Sequence, residues 1–486
     1  MLVCMPNNGR KLFFPLSLSV SLSLAPGSIS LSFPSSSSFS FSCLMPHFPL
    51  FLFLLLLLQS PTFVPGMRIF KFGGASVKDA ESVKNVGKIV DEYGSRPLVV
   101  VISAMGKTTN QLENVLNKWW REEDYLPEIQ TVKEYHSHIL EGLFANQQHP
   151  IYEEIGEMFS GLKAFLETPP EDNYDYTYDQ VISIGELVST KIVSAYLNAV
   201  GIQNHWLDAR DYIKTDELYR EARVDWLETE SRVMITVHAI AEVQVVVTQG
   251  FIGSTWDGHT TTLGREGSDY TAAIFANILN ASELVIWKDV PGILNADPKK
   301  FADTVKFEHI SYHEAIEMTY YGASVLHPKT IKPLQNKNIP LLVKSFIHPQ
   351  EPGTAISGNL EPSKATAVII LKEKQVLLSL SALDYSFIAE TNIERIFDEV
   401  VRYGLKVNIM HNSAISFNMC VDDRGPGMDD FIAALSPEFD IQKTEGHALL
   451  TIKYCKQDLL DNLLSGKKIL LEMLSGDTVQ YVLDTF

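Results

Sequence analysis

From Met67 to about Gly358, short apolar runs alternate with longer stretches whose apolar residues recur at helical spacing. The runs are Arg68 to Phe72, Leu98 to Ile102, Val243 to Thr248, Glu283 to Lys288 and Pro340 to Lys344, each the length of one strand. Between them lie helical candidates such as Gln111 to Arg121 and Glu186 to Ala199. Trp119 and Trp120 read as packing residues of the first. The Tyr- and Asp-rich stretch Thr168 to Asp179 reads as a loop. Strands separated by helices need crossover connections, so the expected fold is α/β, a mostly parallel sheet covered on both faces.

The texture changes after Gly358. Pro and Gly punctuate residues 349–363. Strand candidates Gln375 to Ser381, Val407 to Met410, Ala414 to Val421 and Ala448 to Tyr454 then surround helical candidates Ile393 to Arg402 and Met428 to Leu435. This is a second, α+β unit at 373–486, after a linker at 359–372. Residues 1–66 are different again. Thirteen of the 26 residues from Ser17 to Ser42 are serine, and no acidic residue precedes Asp79. The run Phe48 to Leu58 is far shorter than the ~20 apolar residues of a membrane-spanning helix. The segment is expected to lie outside the fold, as a removed leader or as sequence ahead of a start at Met67.

A formal net charge of −19 argues against nucleic acid as a partner. The four cysteines form no metal or disulfide spacing, and no metal ligands from the protein are expected. Two glycine-containing loops concentrate the chemistry. In the first, Lys71 ends a strand that runs into Gly73-Gly74, ahead of a helix with Val83, Val86 and Val90 on one side. Glycines let backbone approach a ligand, and a following helix start offers N–H groups to phosphate. Because Lys71 sits at a strand end, its loss is expected to spare folding. A structural turn with a snorkelling lysine is the alternative. In the second loop, TTTLGREGSDYTAA, Arg265, Glu266, Ser268 and Asp269 fall within five positions before an apolar helical run. A guanidinium fork beside hydroxyls and a carboxylate suits a small zwitterion or a phosphate. A polar capping loop is the alternative.

Together these segments resemble the aspartate kinases of the amino-acid kinase family. The resemblance is carried by KFGGASV (Lys71 to Val77), SAMGKTTN (Ser103 to Asn110), the Gly-Glu of ISIGELVST, TQGFIGS, TTTLGREGSDYTAA, WKDVPGILNADP and YGASVLHPKT, in that order along the chain. It implies a three-layer αβα amino-acid kinase fold over 67–358 and an α+β ferredoxin-like ACT regulatory region. The pattern of the second unit alone also fits a small dimerisation domain. No fused dehydrogenase is expected after it.

The resemblance further implies an ATP-dependent kinase with Mg²⁺ bridging the ATP oxygens, L-aspartate as acceptor, and a homodimer or higher homo-oligomer. The expected locations are the cytoplasm, or the plastid if residues 1–66 are a transit peptide. It assigns Lys71, Phe72, Gly73, Gly74, Lys288, Asp289, Leu294 and Lys299 to ATP. Arg265 would fork the substrate α-carboxylate, Glu186 would hold its ammonium, Ser103, Thr109 and Ser268 would add contacts, and Asp269 would orient the site. Taken without the resemblance, Glu186 is a favourable first-turn carboxylate. Lys288, Leu294, Lys299 and Ser324 depart from the residues common in relatives, and Lys288 is read as restoring a charge lost at Ser324. An amino-acid effector would meet Asp384, Phe387, Ile388 and Asn408. Carboxylates that some lysine-sensitive relatives carry are missing at Asn408 and Ala414, so weak lysine inhibition is expected. The alternatives are a catalytically weak sensor of amino acids, or a kinase for another carboxylate acceptor.

Overall fold

The computed structural model describes residues 66–486 except 95–96, 170–172, 241–244, 324–325, 359–365, 385 and 424–426. Of residues 1–65 it describes only the backbone of three short strands, Leu22–Ala25, Ser28–Ser32 and Ser38–Phe41, which pair antiparallel with one another. The apolar run Phe48 to Leu58, Ser324 and the first half of the expected linker, residues 359–365, lie outside the described residues.

An eight-stranded sheet organises the first domain, in the order His309–Ser311, Thr354–Ser357, Leu341–Ser345, Glu283–Lys288, Arg68–Phe72, Leu98–Ile102, Val245–Gln249, Asn204–Leu207. Every pairing is parallel except Leu341–Ser345 with Thr354–Ser357. The strands are apolar on both faces because both faces are covered. Ile69, Val99, Val101 and Ile286 join one core, while Phe70, Phe72, Val100 and Trp287 join the other. Two cores on one sheet make the expected three-layer fold. The three outer strands at 204–207, 309–311 and 354–357 and the hairpin Ile252–Ser254 with Thr260–Thr262 escaped the sequence reading, being too short for a periodic signal.

Two sequence expectations are corrected here. Residues 174–179 are not loop: a 26-residue helix, Tyr174–Ala199, starts at Tyr174, with the Asn173 side chain accepting from Tyr176 N–H. Tyrosine and aspartate are weak helix formers, and the cap together with tertiary burial overrides them. Glu186 is therefore mid-helix, and a first-turn dipole role is ruled out. The glycine loop also differs. A single 3₁₀ turn, Gly74–Val77, follows it, and the α-helix Ala80–Tyr93 begins only behind Asp79, whose carboxylate accepts from Ser82 N–H. That helix start is already satisfied by an anion of its own. Trp119, as expected, packs inside and donates from Nε1 to the Leu166 carbonyl at 2.7 Å.

The second unit is one antiparallel sheet of six strands, in the order Val407–Asn412, Ser416–Asp422, Val368–Ala382, Phe439–Lys453, Thr478–Leu483, Ile469–Ser475. Its two central strands are long enough to serve two modules. Val368 to Lys372 pairs with Leu449 to Lys453 in one, and Leu377 to Ala382 pairs with Phe439 to Thr444 in the other. Register breaks near Gln375, and Lys374 takes a left-handed φ of 55°. The first strand therefore starts at Val368, inside the segment expected as linker. Among the described residues, no helix is long and apolar enough to cross a membrane.

Candidate active site

Arg68–Phe72 is the first strand in the sheet and lies near its middle, with Leu98–Ile102 on one side and the much later Glu283–Lys288 on the other. Strand order reverses there, and ligands of open parallel sheets bind beyond the carboxyl ends of strands at such a point. Register places two cations together. Ile286 is opposite Lys71, so Lys288, two residues on, projects from the same face. Helix Gly267–Ile278 covers that face and offers Asp269 from its first turn, where a carboxylate is favourable. Lys71 Nζ lies 2.7 Å from Asp269 Oδ1, and Lys288 Nζ lies 3.9 Å from Oδ2. Burial pushes the Asp269 carboxyl up, but Lys71 and Lys288 more than cancel it and the net shift is downward. One ionised carboxylate thus holds two lysines at the sheet edge.

Above them opens a cleft of about 800 Å³. Lys71, Gly74, Ser103, Thr109, Glu186, Arg265, Ser268, Asp269 and Lys288 all line it, so segments from across the first domain converge as expected. Glu186 is buried, and burial raises its carboxyl to about 8 against the partial relief given by Lys71 and the Ala104 N–H. Its Oε2 has no hydrogen-bond partner among the described residues. Arg265 lines the same cleft and is exposed, and among the described residues no carboxylate pairs with it. Packing also requires a glycine at 74: a Cβ there would lie 2.7 Å from the Ala104 carbonyl oxygen and 2.9 Å from that of Gly106. Gly73 has no such contact.

A second cavity, of about 460 Å³, shares Lys288 and is lined by Leu294 and Lys299 among others, bringing three of the expected nucleotide residues together. Ile369 to Leu371 of the antiparallel sheet also line it. Two further expected nucleotide residues, Phe72 and Asp289, line neither cavity. The Phe72 ring is fully buried and stacked on Trp287, and its carbonyl accepts from Ser103 N–H. Asp289 is exposed and lines neither cavity. In the second unit, Asn408 is not a free amide. Its Oδ1 accepts from Lys372 Nζ at 2.8 Å, and its Nδ2 donates to Gln375 Oε1 and Asp422 Oδ1, both at 2.7 Å. Ile388 packs in the module core, while Phe387 is 74% exposed and the Asp384 carboxylate accepts from Ser386 N–H in its own loop.

Sequence reading missed Asp175, Tyr178, Arg220, Glu221 and Phe251, which also line the cleft. Asp175, Tyr178, Asp179 and Glu186 fall at i, i+3, i+4 and i+11, a helical spacing that was open to detection.

Residues 66–345 match the model of the amino acid kinase family. The chain belongs to that family. This amino acid kinase is 32% identical over 361 residues to lysine-sensitive aspartokinase 3 of Escherichia coli (strain K12), covering 74% of this chain and 78% of that one. It is 31% identical over 377 residues to chloroplastic aspartokinase 1 of Arabidopsis thaliana, covering 73% of this chain and 63% of that one. It thus spans a little under two thirds of the Arabidopsis protein's length. Among solved structures it is similar to E. coli aspartokinase III in complex with aspartate and ADP, with a TM-score of 0.72, 27% identity, and coverage of 86% of this chain and 96% of that one. The same E. coli enzyme with lysine and aspartate gives a TM-score of 0.70 at 27% identity, covering 86% of this chain and 95% of that one.

Proposed function

We propose that this chain is an ATP-dependent aspartate kinase, converting ATP and L-aspartate to ADP and 4-phospho-L-aspartate, the entry step to lysine, threonine and methionine. One observation carries the reading. A buried carboxyl with an unpartnered oxygen, Glu186, and an unpaired guanidinium, Arg265, line one cleft over a floor of two lysines. Ammonium, α-carboxylate and transferred phosphate each find a complement there.

The acceptor β-carboxylate, with a pKa near ~4, is already ionised at neutral pH, so no general base is required. A carboxylate oxygen forms a bond to the γ-phosphorus as the bond to the ADP oxygen breaks. Catalysis then rests on positioning and on charge neutralisation. Lys71 and Lys288, held by Asp269, supply fixed positive charge at the sheet edge, and Lys288 adjoins both cavities. Leu294 and Lys299 would line the nucleotide's place. Mg²⁺ would be held by the nucleotide's phosphate oxygens. When bound it would neutralise phosphate charge. Backbone groups near Phe387 would hold any amino-acid effector. Both Asn408 N–H donors are engaged and the residue supplies no carboxylate to an effector's cationic group, in keeping with the expectation of weak lysine inhibition. The reading places the enzyme in the cytoplasm, or the plastid if residues 1–66 act as a transit peptide.

The deciding assay is ADP release stimulated by aspartate, with glutamate, acetylglutamate and UMP as controls. Stimulation by another acceptor but not by aspartate overturns the reading. Arg265→Lys keeps the charge and loses the bidentate fork, so it is expected to raise the aspartate KM about tenfold with little change for ATP. Equal loss for both ligands would place Arg265 elsewhere in the chemistry.

A further inference from the structure

Asp179 touches no part of the lysine floor and does not line the cleft, yet it is fully buried two helical turns before Glu186 on the same face. Its Oδ2 accepts from Thr262 N–H at 2.8 Å and from Arg220 N–H at 3.0 Å, while Oδ1 accepts from the Thr262 hydroxyl at 2.7 Å. No cation pairs with it among the described residues. An isolated buried carboxylate is costly, and burial pushes this one up to about 6. A side chain kept at that cost, with three neutral donors converging on it, points to a geometric task.

The two segments it joins are the walls of the acceptor cleft. Thr262 ends the strand Thr260–Thr262 and leads through Leu263 and Gly264 directly into Arg265. Arg220 holds a left-handed φ of 67° on the facing loop. The walls also lean on each other: Ala222 N–H donates to the Thr262 carbonyl at 2.9 Å, and a Cβ at Gly264 would stand 3.2 Å from the Arg220 carbonyl oxygen. Gln180 adds a second staple, donating from Nε2 to the Thr260 carbonyl at 2.8 Å. We infer that Asp179 is a positioning residue for the acceptor: through Thr262 and Arg220 it fixes where the Arg265 guanidinium stands relative to Glu186 on the same helix. The lysine floor hangs from other strands, so the clamp governs acceptor binding and leaves the nucleotide alone. The inference rests on the reading of this cleft as an acceptor site.

Asp179→Asn tests it in the full chain. The amide would turn an N–H₂ toward donors it cannot serve, and small displacements of a binding group are costly. The expected result is an aspartate KM raised about tenfold with the ATP KM within about twofold of wild type. Thr262→Val removes only the hydroxyl bond and should move aspartate KM the same way by less. A purely structural role would lower the melting temperature and kcat without separating the two KM values. A folded Asp179→Asn protein with unchanged aspartate KM, or with both KM values raised together, overturns the inference. Should Asp179→Asn not fold, Thr262→Val decides by the same split. If wild type uses another acceptor, the aspartate reading alone fails and the split is read with that acceptor.

Discussion

Lys71→Ala is expected to lower kcat by about 10²–10³-fold, the cost of removing one fixed charge from a phosphoryl-transfer site. It is also expected to destabilise the protein, and this corrects the sequence expectation that folding would be spared. Lys71 is 8% exposed on a central strand and forms the nearer partner of a carboxylate buried beside it. Without it, Asp269 keeps, among the described residues, Lys288 at 3.9 Å as its cation. Breaking a buried pair by removing one partner costs about 3–5 kcal/mol, and the remaining lysine should hold the loss toward the lower figure. The two effects separate in a double variant, Lys71→Ala with Asp269→Asn, which should recover stability without recovering turnover. Initial rates of ADP release and thermal unfolding measure both. A folded Lys71→Ala protein with near-normal kcat would remove Lys71 from the chemistry.

Glu186→Gln is expected to raise the aspartate KM by about tenfold to a hundredfold, since a hydrogen bond to a charged group contributes about 1.5–3 kcal/mol. It also makes a distinctive pH prediction. The Glu186 carboxyl is raised to about 8 from an ordinary 4.5, so the folded state binds a proton that the unfolded chain has released. Stability from this group is therefore full below pH 4.5 and is lost as pH rises toward 8. The Gln variant lacks that slope, and its melting temperature should gain on wild type as pH rises through this window. Arrival of an ammonium favours the ionised form, so aspartate binding near pH 7 should release a proton. Calorimetry in two buffers of different ionisation enthalpy reads that release. Its absence in wild type, or its persistence in Glu186→Gln, would detach Glu186 from the ammonium.

Much of this site was legible because its chemistry depends on residue types at short spacing. Lys71 with the two glycines, and Arg265, Ser268 and Asp269 in a run of five, announce themselves locally, and all but Gly73 reach the cleft. Phe72 and Asp289 stand apart from the cavity linings for a local reason. Motif membership says that a segment adjoins a ligand, but alternation along the strand sends the Phe72 ring to the Trp287 side, and Asp289 follows the strand Glu283–Lys288 as an exposed residue. Asn408 shows a different limit. Its amide is engaged by Lys372, Gln375 and Asp422, which come from two other strands of its sheet.

The sequence by itself determined the layered α/β domain, the α+β unit after it and many of the residues that line the cleft, because periodicity and short motifs are properties of neighbours along the chain. Only the tertiary structure decided that Lys71 and Lys288 share a face, since that depends on the order and register of strands more than two hundred residues apart. It alone turned Lys71 from a strand-end charge into half of a buried ion pair. It alone made Asp179, in a stretch that reads as loop, the clamp between both walls of the cleft. Burial and hydrogen-bond convergence come from segments distant in sequence, and no local pattern encodes which of them will meet.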